Sequence, residues 1–332
     1  FWKWRIFDFL PFFSWWKREI HPACRYITAE IQPPVIGMTF RRIYEKTQDQ
    51  RFLRKYLSKI QKYFDYLRRE RDPDKDHLVS IITPMESGMD YAPQFDLPFG
   101  NHQHSPKQLK SRITKMLKLY HRLRWRLEDI FESGIFDFED VAFNTIYLLS
   151  LEDLTDLWSI VDKSKAEELA ELCRVVKEEI LRKFWDERDG IFYGVYHREG
   201  EEIKSRVKTV SSLFPICLDI PDKYIDCLVS HIQDEGEFWL PFPIPSVARD
   251  EPAFGPLANT RHIWRGTTWI NTNWFIARGL LRNNRIEIYQ KLKRKTLELV
   301  DKSGFCEFYD PFDGHPGRAE QNFGWSTLAV DL

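Results

Sequence analysis

A chain of 332 residues, 43% hydrophobic and 30% charged, is long enough for a sizeable core and too apolar to be disordered. Its 49 basic and 50 acidic residues leave a net charge of -1, which excludes a global basic field for nucleic acid. Aromatic residues reach 15%, more than a core requires, and point to a ring surface for a ligand.

The chain starts with an apolar stretch, Phe1 to Trp16, that Lys3, Arg5 and Asp8 interrupt and that no small-residue cleavage site follows. A signal peptide is therefore not expected, nor is a membrane span, because no apolar run approaches about 20 residues. Cys24, Cys173, Cys217, Cys227 and Cys306 are scattered and form no CxxC. That pattern argues against a disulfide framework or a zinc site and mildly favours a reducing compartment; with no export signal in the sequence, a cytoplasmic location is expected. The missing initiator Met suggests a fragment or a processed form.

Helical periodicity dominates from there on. Helices are predicted over 34–47 and 51–71, the second with Phe52, Leu53, Tyr56, Leu57, Ile60, Tyr63, Phe64 and Leu67 on one face. Its other face is basic and reads as solvated. Ser105 caps a helix that begins at Pro106 and runs to about Ser133. Further helices are expected over 140–151, 165–185, 211–218, 223–233, 267–281 and 286–300. Strand alternation is short and local, and there is no βαβ rhythm or Gly-rich phosphate loop.

Three of the long helices run into similar turns, at Arg71–Leu78, Asp186–Tyr193 and Val300–Tyr309. Aligned on His77, Gly190 and Gly304, the turns recur at 113 and 114 residues, and two helical hairpins fit each interval. Such a period predicts a helical toroid with loops on one side. The segments 83–105 and 236–265 read as long ordered loops, where function usually sits. No Gly/Ser-rich or charged linker interrupts the chain, so 1–332 reads as a single domain.

Three constellations could carry chemistry. Ile82–Asp96 (ITPMESGMDYAPQFD) holds Glu86, Asp90 and Asp96 around Gly88, among Met89, Tyr91 and Phe95. Such surroundings would raise a carboxyl pKa, as a general acid needs, although Glu86 and Asp90 could instead tie the loop down. In Ile263–Trp274 (IWRGTTWINTNW), Trp264, Arg265, Trp269, Asn271 and Asn273 look like a sugar-binding wall, or else like packed core. In Gly304–Ser326, Glu307 leads an aromatic turn ahead of Tyr309. A carboxylate across the sugar from the acid could activate water there. The nine histidines form no metal-ligand spacing. Asp72, Asp74 and Asp76 mimic the start of a calcium loop. His77 in place of Gly and Thr83 in place of Glu argue against one.

Taken together, ESGMD with Pro93 and Asp96, PIPSVARDEPAF, WRGTTWINTNW with RGL, EFYDP with Gly314, and NFGWS resemble the motif series of glycoside hydrolase family 63. The branch they resemble is that of mannosylglycerate and glucosylglycerate hydrolases, and QPPV at Gln32–Val35 is similar to the opening of that family's segment. The resemblance implies an all-α (α/α)6 toroid or barrel and inverting hydrolysis of an α-glucoside or α-mannoside, with no metal or organic cofactor in the chemistry. It places the general acid on Asp90 and the general base on Glu307. Gln32, Glu86, Trp264, Arg265, Trp269, Asn271, Tyr309 and Trp325 are carried as substrate-binding candidates. Departures are Met85 where the family has Trp, Tyr91 after the acid, and Thr268 in the RGxxW motif.

The length falls short of twelve helices, and the family's early WD pair is not recognisable, so the barrel is expected to lack its first helices. An anionic aglycone such as glycerate would need a cation, for which Arg265, Arg249 and Arg261 are candidates. The expected partner is a small glycoside or oligosaccharide, with no nucleic acid and no membrane. The alternative is a catalytically inactive carbohydrate-binding or scaffold protein on the same fold, which the loss of the first hairpins would favour. A lyase or phosphorylase on this fold is disfavoured, since no His–Tyr pair or phosphate loop is recognisable.

Overall fold

The computed structural model describes residues 30–100, 106–256 and 263–332. The expectations for Phe1–Trp16, Cys24, Ser105 and Arg261 fall outside these residues. Nine α-helices are described: α1 (Ile36–Thr47), α2 (Gln50–Glu70), α3 (Pro106–Arg122), α4 (Leu127–Glu132), α5 (Val141–Val161), α6 (Lys163–Glu179), α7 (Asp222–Gln233), α8 (Ile270–Arg282) and α9 (Ile286–Ser303). Asp49, Asp140 and Asp162 cap α2, α5 and α6, each accepting backbone N–H bonds at the helix start.

Burial sorts the helices into two layers. In α5 every residue from Val141 to Leu148 is buried, and α8 is buried over most of its length. A helix apolar all round belongs in the interior. By contrast α2 buries one stripe (Leu53, Leu57, Gln61, Phe64, Leu67), as do α6 (Ala166, Leu169, Cys173, Val176) and α9 (Ile288, Leu292, Thr296, Leu299). Helix α1 packs on α5, α5 on a 3-10 helix at Val210–Cys217, and that helix on α8. Hairpins α5/α6 and α8/α9 thus each pair an inner helix with an outer one, while α1 meets α5 through the single face of Gly37, Phe40 and Tyr44. This is the all-α toroid architecture the resemblance implied.

The inner helices approach closely at two glycines. A Cβ at Gly37 would lie 2.6 Å from the Ser150 carbonyl oxygen, and one at Gly279 would lie 2.7 Å from that of Ile216. At the aligned position each of the three turns takes a positive φ, 75° at His77, 64° at Gly190 and 78° at Gly304.

Some boundaries differ from expectation. The predicted helix over 106–133 is broken after Arg122, where Arg124 and Trp125 take φ of 54° and 56°. Turning there buries Trp125 edge-on against Tyr120. Helix α5 runs on to Val161, ten residues beyond the expected end, because no breaker precedes Asp162. The predicted helix over 165–185 ends in a π turn at Ile180–Phe184. The segment over 211–218 is 3-10 rather than α, and it contains Pro215, which lacks a helix donor.

Strands are short. β1 (Ser80–Ile81), β2 (Phe138–Glu139), β5 (Val195–Arg198) and β6 (Glu201–Lys204) form an antiparallel sheet in that order, with Ser80 opposite Glu139 and Val195 opposite Lys204. β3 (Trp185–Asp186) pairs with β4 (Ile191–Phe192). β1 opens directly into the loop that begins at Ile82.

The would-be calcium loop is tied into this sheet by an ammonium. Lys183, in the π turn and 1% exposed, lies 2.9 Å from Asp74, 2.6 Å from Asp76, 2.8 Å from Glu139 and 3.1 Å from Glu202. Burial alone would lower its pKa, but the surrounding carboxylates raise it. Among the described residues, no helix is long and apolar enough to cross a membrane.

Gly37→Ala is expected to destabilise the protein by about 1–3 kcal/mol, because the backbone of Ser150 cannot yield to a methyl group. Urea unfolding checks this. An unchanged midpoint would mean that the α1–α5 contact is looser than described.

Candidate active site

The loop after β1 has little regular structure and is held by charge. It starts in a 3-10 turn, Pro84–Ser87, which ends at Gly88 with φ of 72°. Just past Asp90, Tyr91 also takes a positive φ, 61°, which is rare for a residue with a side chain. Asp90 is therefore flanked by backbone that must be held in place.

Two buried arginines do so. Arg71, at the end of α2, donates to both oxygens of Glu86 at 2.9 and 2.7 Å. The same carboxylate accepts the backbone N–H groups of Ile31 and Ile82. On the far side of the loop, Arg265 Nη2 donates to both oxygens of Asp96 at 2.7 and 2.8 Å. Its Nε donates to the Tyr91 carbonyl at 3.2 Å.

The turn bearing Glu307 is pinned from both sides. Its backbone N–H donates to the Glu320 carbonyl, and Tyr309 exchanges two backbone hydrogen bonds with Thr268. The buried Tyr309 hydroxyl donates to the Gly304 carbonyl and accepts the Cys306 N–H. Thr268 lies three residues after Arg265, so the two carboxylate-bearing segments meet through one short stretch of chain.

Asp90 and Glu307 line a common cavity of about 350 Å³ with Gln32, Trp264, Trp269 and Trp325. Gly88 and Glu30 also line it. Desolvation pushes the Asp90 carboxyl up to about 6, and the charge of Glu307 adds to the shift. Desolvation also raises the Glu307 carboxyl, with the charge of Glu320 adding to it. The Trp264 and Trp269 rings stack at 3.8 Å and 4°, and Trp325 stands 6.2 Å from Trp269 with 43% of its surface open. Gln32 is fixed by donating to the Met85 carbonyl. One carboxyl that stays protonated near pH 6, a second carboxylate and a wall of rings are the parts that acid–base chemistry on a sugar needs.

The sequence-predicted residues do not all face this space. Asn271 lines an adjoining cavity of about 480 Å³, and its Oδ1 is buried without a hydrogen-bond partner. Glu86, 0% exposed, is used up by Arg71 and two backbone donors, so it ties the loop down. Arg265 and Tyr309 sit behind the walls and hold the two carboxylate segments. Arg249 lies over the Phe312 ring, away from the lining residues. Glu30 was not singled out in the sequence, where its only signal is an acid two residues before Gln32.

Comparison with known proteins gives the family. Residues 15–326 match the family model of the mannosylglycerate hydrolase MGH1-like glycoside hydrolase domain. The mannosylglycerate hydrolase of Thermus thermophilus is 31% identical over 96% of this chain and 80% of its own length. The glucosylglycerate hydrolase of Mycolicibacterium hassiacum is 23% identical over 93% of this chain and 76% of its own length. The crystal structure of a GH63 mannosylglycerate hydrolase from T. thermophilus in complex with glucose superposes with a TM-score of 0.81 at 30% identity, covering 92% of this chain and 76% of that one. The chain belongs to the mannosylglycerate hydrolase-like branch of glycoside hydrolase family 63 and is a glycoside hydrolase.

Asp96→Asn leaves the Arg265 guanidinium buried without its anion. The expected cost is about 3–5 kcal/mol in urea unfolding. Catalytic activity should fall more steeply than the folded fraction, because Tyr91 and Asp90 lose their support. A loss below about 1 kcal/mol, typical of an exposed pair, would mean that Arg265 does not hold the loop.

Proposed function

We propose that residues 1–332 form one catalytic domain, an inverting α-glycosidase acting on a small glycoside, with mannosylglycerate and glucosylglycerate as the first candidate substrates. The observation that carries this reading is the shared cavity of Asp90 and Glu307. Two acids more than 200 residues apart in the chain face one ring-walled space, and the carboxyl of one is pushed up to about 6.

In this reading Asp90 protonates the glycosidic oxygen as the bond to the anomeric carbon breaks. A carboxyl with a pKa near 6 keeps a useful protonated fraction close to neutrality, which an ordinary Asp near 4 would not. Glu307 takes a proton from the water that attacks the opposite face, so the configuration inverts. Trp264, Trp269 and Trp325 present apolar ring surface to the sugar. Positive charge develops at the anomeric carbon in the transition state, and the Glu307 carboxylate lowers its energy.

The aglycone is placed toward the adjoining cavity. Among the described residues lining the two cavities the one cation is Arg42, which donates to Asp331 at 3.0 Å. Of the sequence candidates for this role, Arg265 is spent on Asp96 and Arg249 lies over Phe312, while Arg261 falls outside the described residues. The relatives named for mannosylglycerate and glucosylglycerate hydrolysis support this substrate class.

The test is anomer-resolved proton NMR on small α-glucosides and α-mannosides, including both glycerates, with wild type beside Asp90→Asn and Glu307→Gln. Wild type is expected to release the β-sugar first, and each variant to lose at least about 100-fold in rate. Initial release of the α-anomer, or full activity in either variant, would contradict the assignment.

A further inference from the structure

The space beside the catalytic cavity is chemically unlike it. About 480 Å³ adjoins the cavity of Asp90 and Glu307, and Gln32, Gly88, Trp264 and Trp325 line both. Each element that encloses it supplies apolar surface. Met38 comes from α1, Ile146 from α5, Phe214 from the 3-10 helix at Val210–Cys217, Trp274 and Phe275 from α8, and Leu328 from a 3-10 helix at Gly324–Asp331. Its hydroxyls are turned onto the chain: Thr39, Ser87 and Thr272 donate to the carbonyls of Val35, Pro84 and Trp269. Protein interiors keep few voids larger than a water molecule, so an apolar space of this size beside a pair of acids is one that a ligand fills. Glycerate, a three-carbon polar acid, offers such a space almost no apolar surface.

We propose that this second cavity is a subsite for an apolar aglycone, an alkyl or aryl group carried by the sugar that sits between Asp90 and Glu307. The proposal rests on the glycosidase reading. In that reading the leaving oxygen meets Asp90, so the aglycone extends on the acid's side. The second cavity lies on that side: Ser87, Gly88 and Met89, the residues just before Asp90, line it, and none of residues 304–309 in the Glu307 turn does. The remaining polar side chains there, Gln32, Arg42 and Asn271, orient an aglycone, while the contact area is apolar. An alkyl chain that enters takes its own surface and that of the wall out of water.

The experiment measures kcat/KM for α-glycosides of one sugar with n-alkyl aglycones from methyl to hexyl, in wild type, Met38→Gln and Leu328→Gln. Hydrolysis of the two glycerates is the reference. In wild type, kcat/KM is expected to rise about fourfold for each methylene that enters, and at least about 30-fold from methyl to hexyl. Either variant puts an amide into the apolar wall and should cut the hexyl-to-methyl ratio at least about fivefold. A ratio taken within one protein does not depend on its folded fraction, so a partly unfolded variant still reports.

A flat series, or a rate that falls with chain length, would overturn the proposal, as would a rise that neither variant reduces. Hydrolysis of a glycerate but of no alkyl glycoside would overturn it too. In each of these cases hydrolysis by wild type would leave the glycosidase reading standing. A folded wild type that hydrolyses none of the glycosides would overturn both.

Discussion

The relation between the two proposed catalytic carboxylates, Asp90 and Glu307, depends on one buried ion pair, Arg265 with Asp96. The acid's loop, Ile82–Asp96, contains only short 3-10 turns, two positive φ values and few backbone bonds to the rest of the molecule. A segment of that kind has no ladder to set its position, so side chains must. Arg265 grips the end of the loop through both oxygens of Asp96 and its middle through the Tyr91 carbonyl. Three residues further on, Thr268 pairs with Tyr309, two residues past Glu307. The stretch from 265 to 268 is therefore a strut between the Asp90 loop and the Glu307 turn. It also contributes a ring wall, because Trp264 and Trp269 flank it.

The helices supply the rigid frame for that strut. Inner helices α1, α5 and α8 are buried nearly all round or meet through glycine, and the outer helices bury one stripe each. The Lys183 ammonium serves the frame as well, drawing the first turn, β2 and β6 onto the π turn. Removing a buried cation of this kind would strand several carboxylates in a poorly solvated place, which is costly. Its neighbours Asp74 and Asp76 are the residues that, in the sequence alone, mimic a calcium loop.

Much of this was legible in the sequence. The one-sided stripes of α2 and α6 identify outer helices, and the spacing of His77, Gly190 and Gly304 anticipates three turns that each carry a positive φ at the aligned residue. Asp90 and Glu307 were singled out by motif, and both prove to line one cavity. Other features are tertiary and were not legible. Glu86 and Arg265 look like pocket residues because the pattern fixes only their proximity to the acid, not which way they turn. Their burial and partners come from Arg71 and Asp96, whose pairing spans up to 169 residues of chain. The break at Trp125 was missed because nothing local marks it: its cause is the burial of one ring against Tyr120. Glu30 was missed because an isolated acid beside a motif is indistinguishable from a surface one until its neighbours in space are known.

The account turns on Asp90 and Glu307 sharing one poorly solvated space. In such a space a carboxyl resists ionisation, and a nearby carboxylate makes it resist further. The most direct test is a 13C NMR titration of the Asp90 carboxyl in wild type and in Glu307→Gln. The account predicts a midpoint near 6 in wild type. It also predicts a lower midpoint in the variant, still above the ordinary value of about 3.9 because burial remains. A wild-type midpoint near 4, or one that Glu307→Gln leaves unmoved, would contradict it.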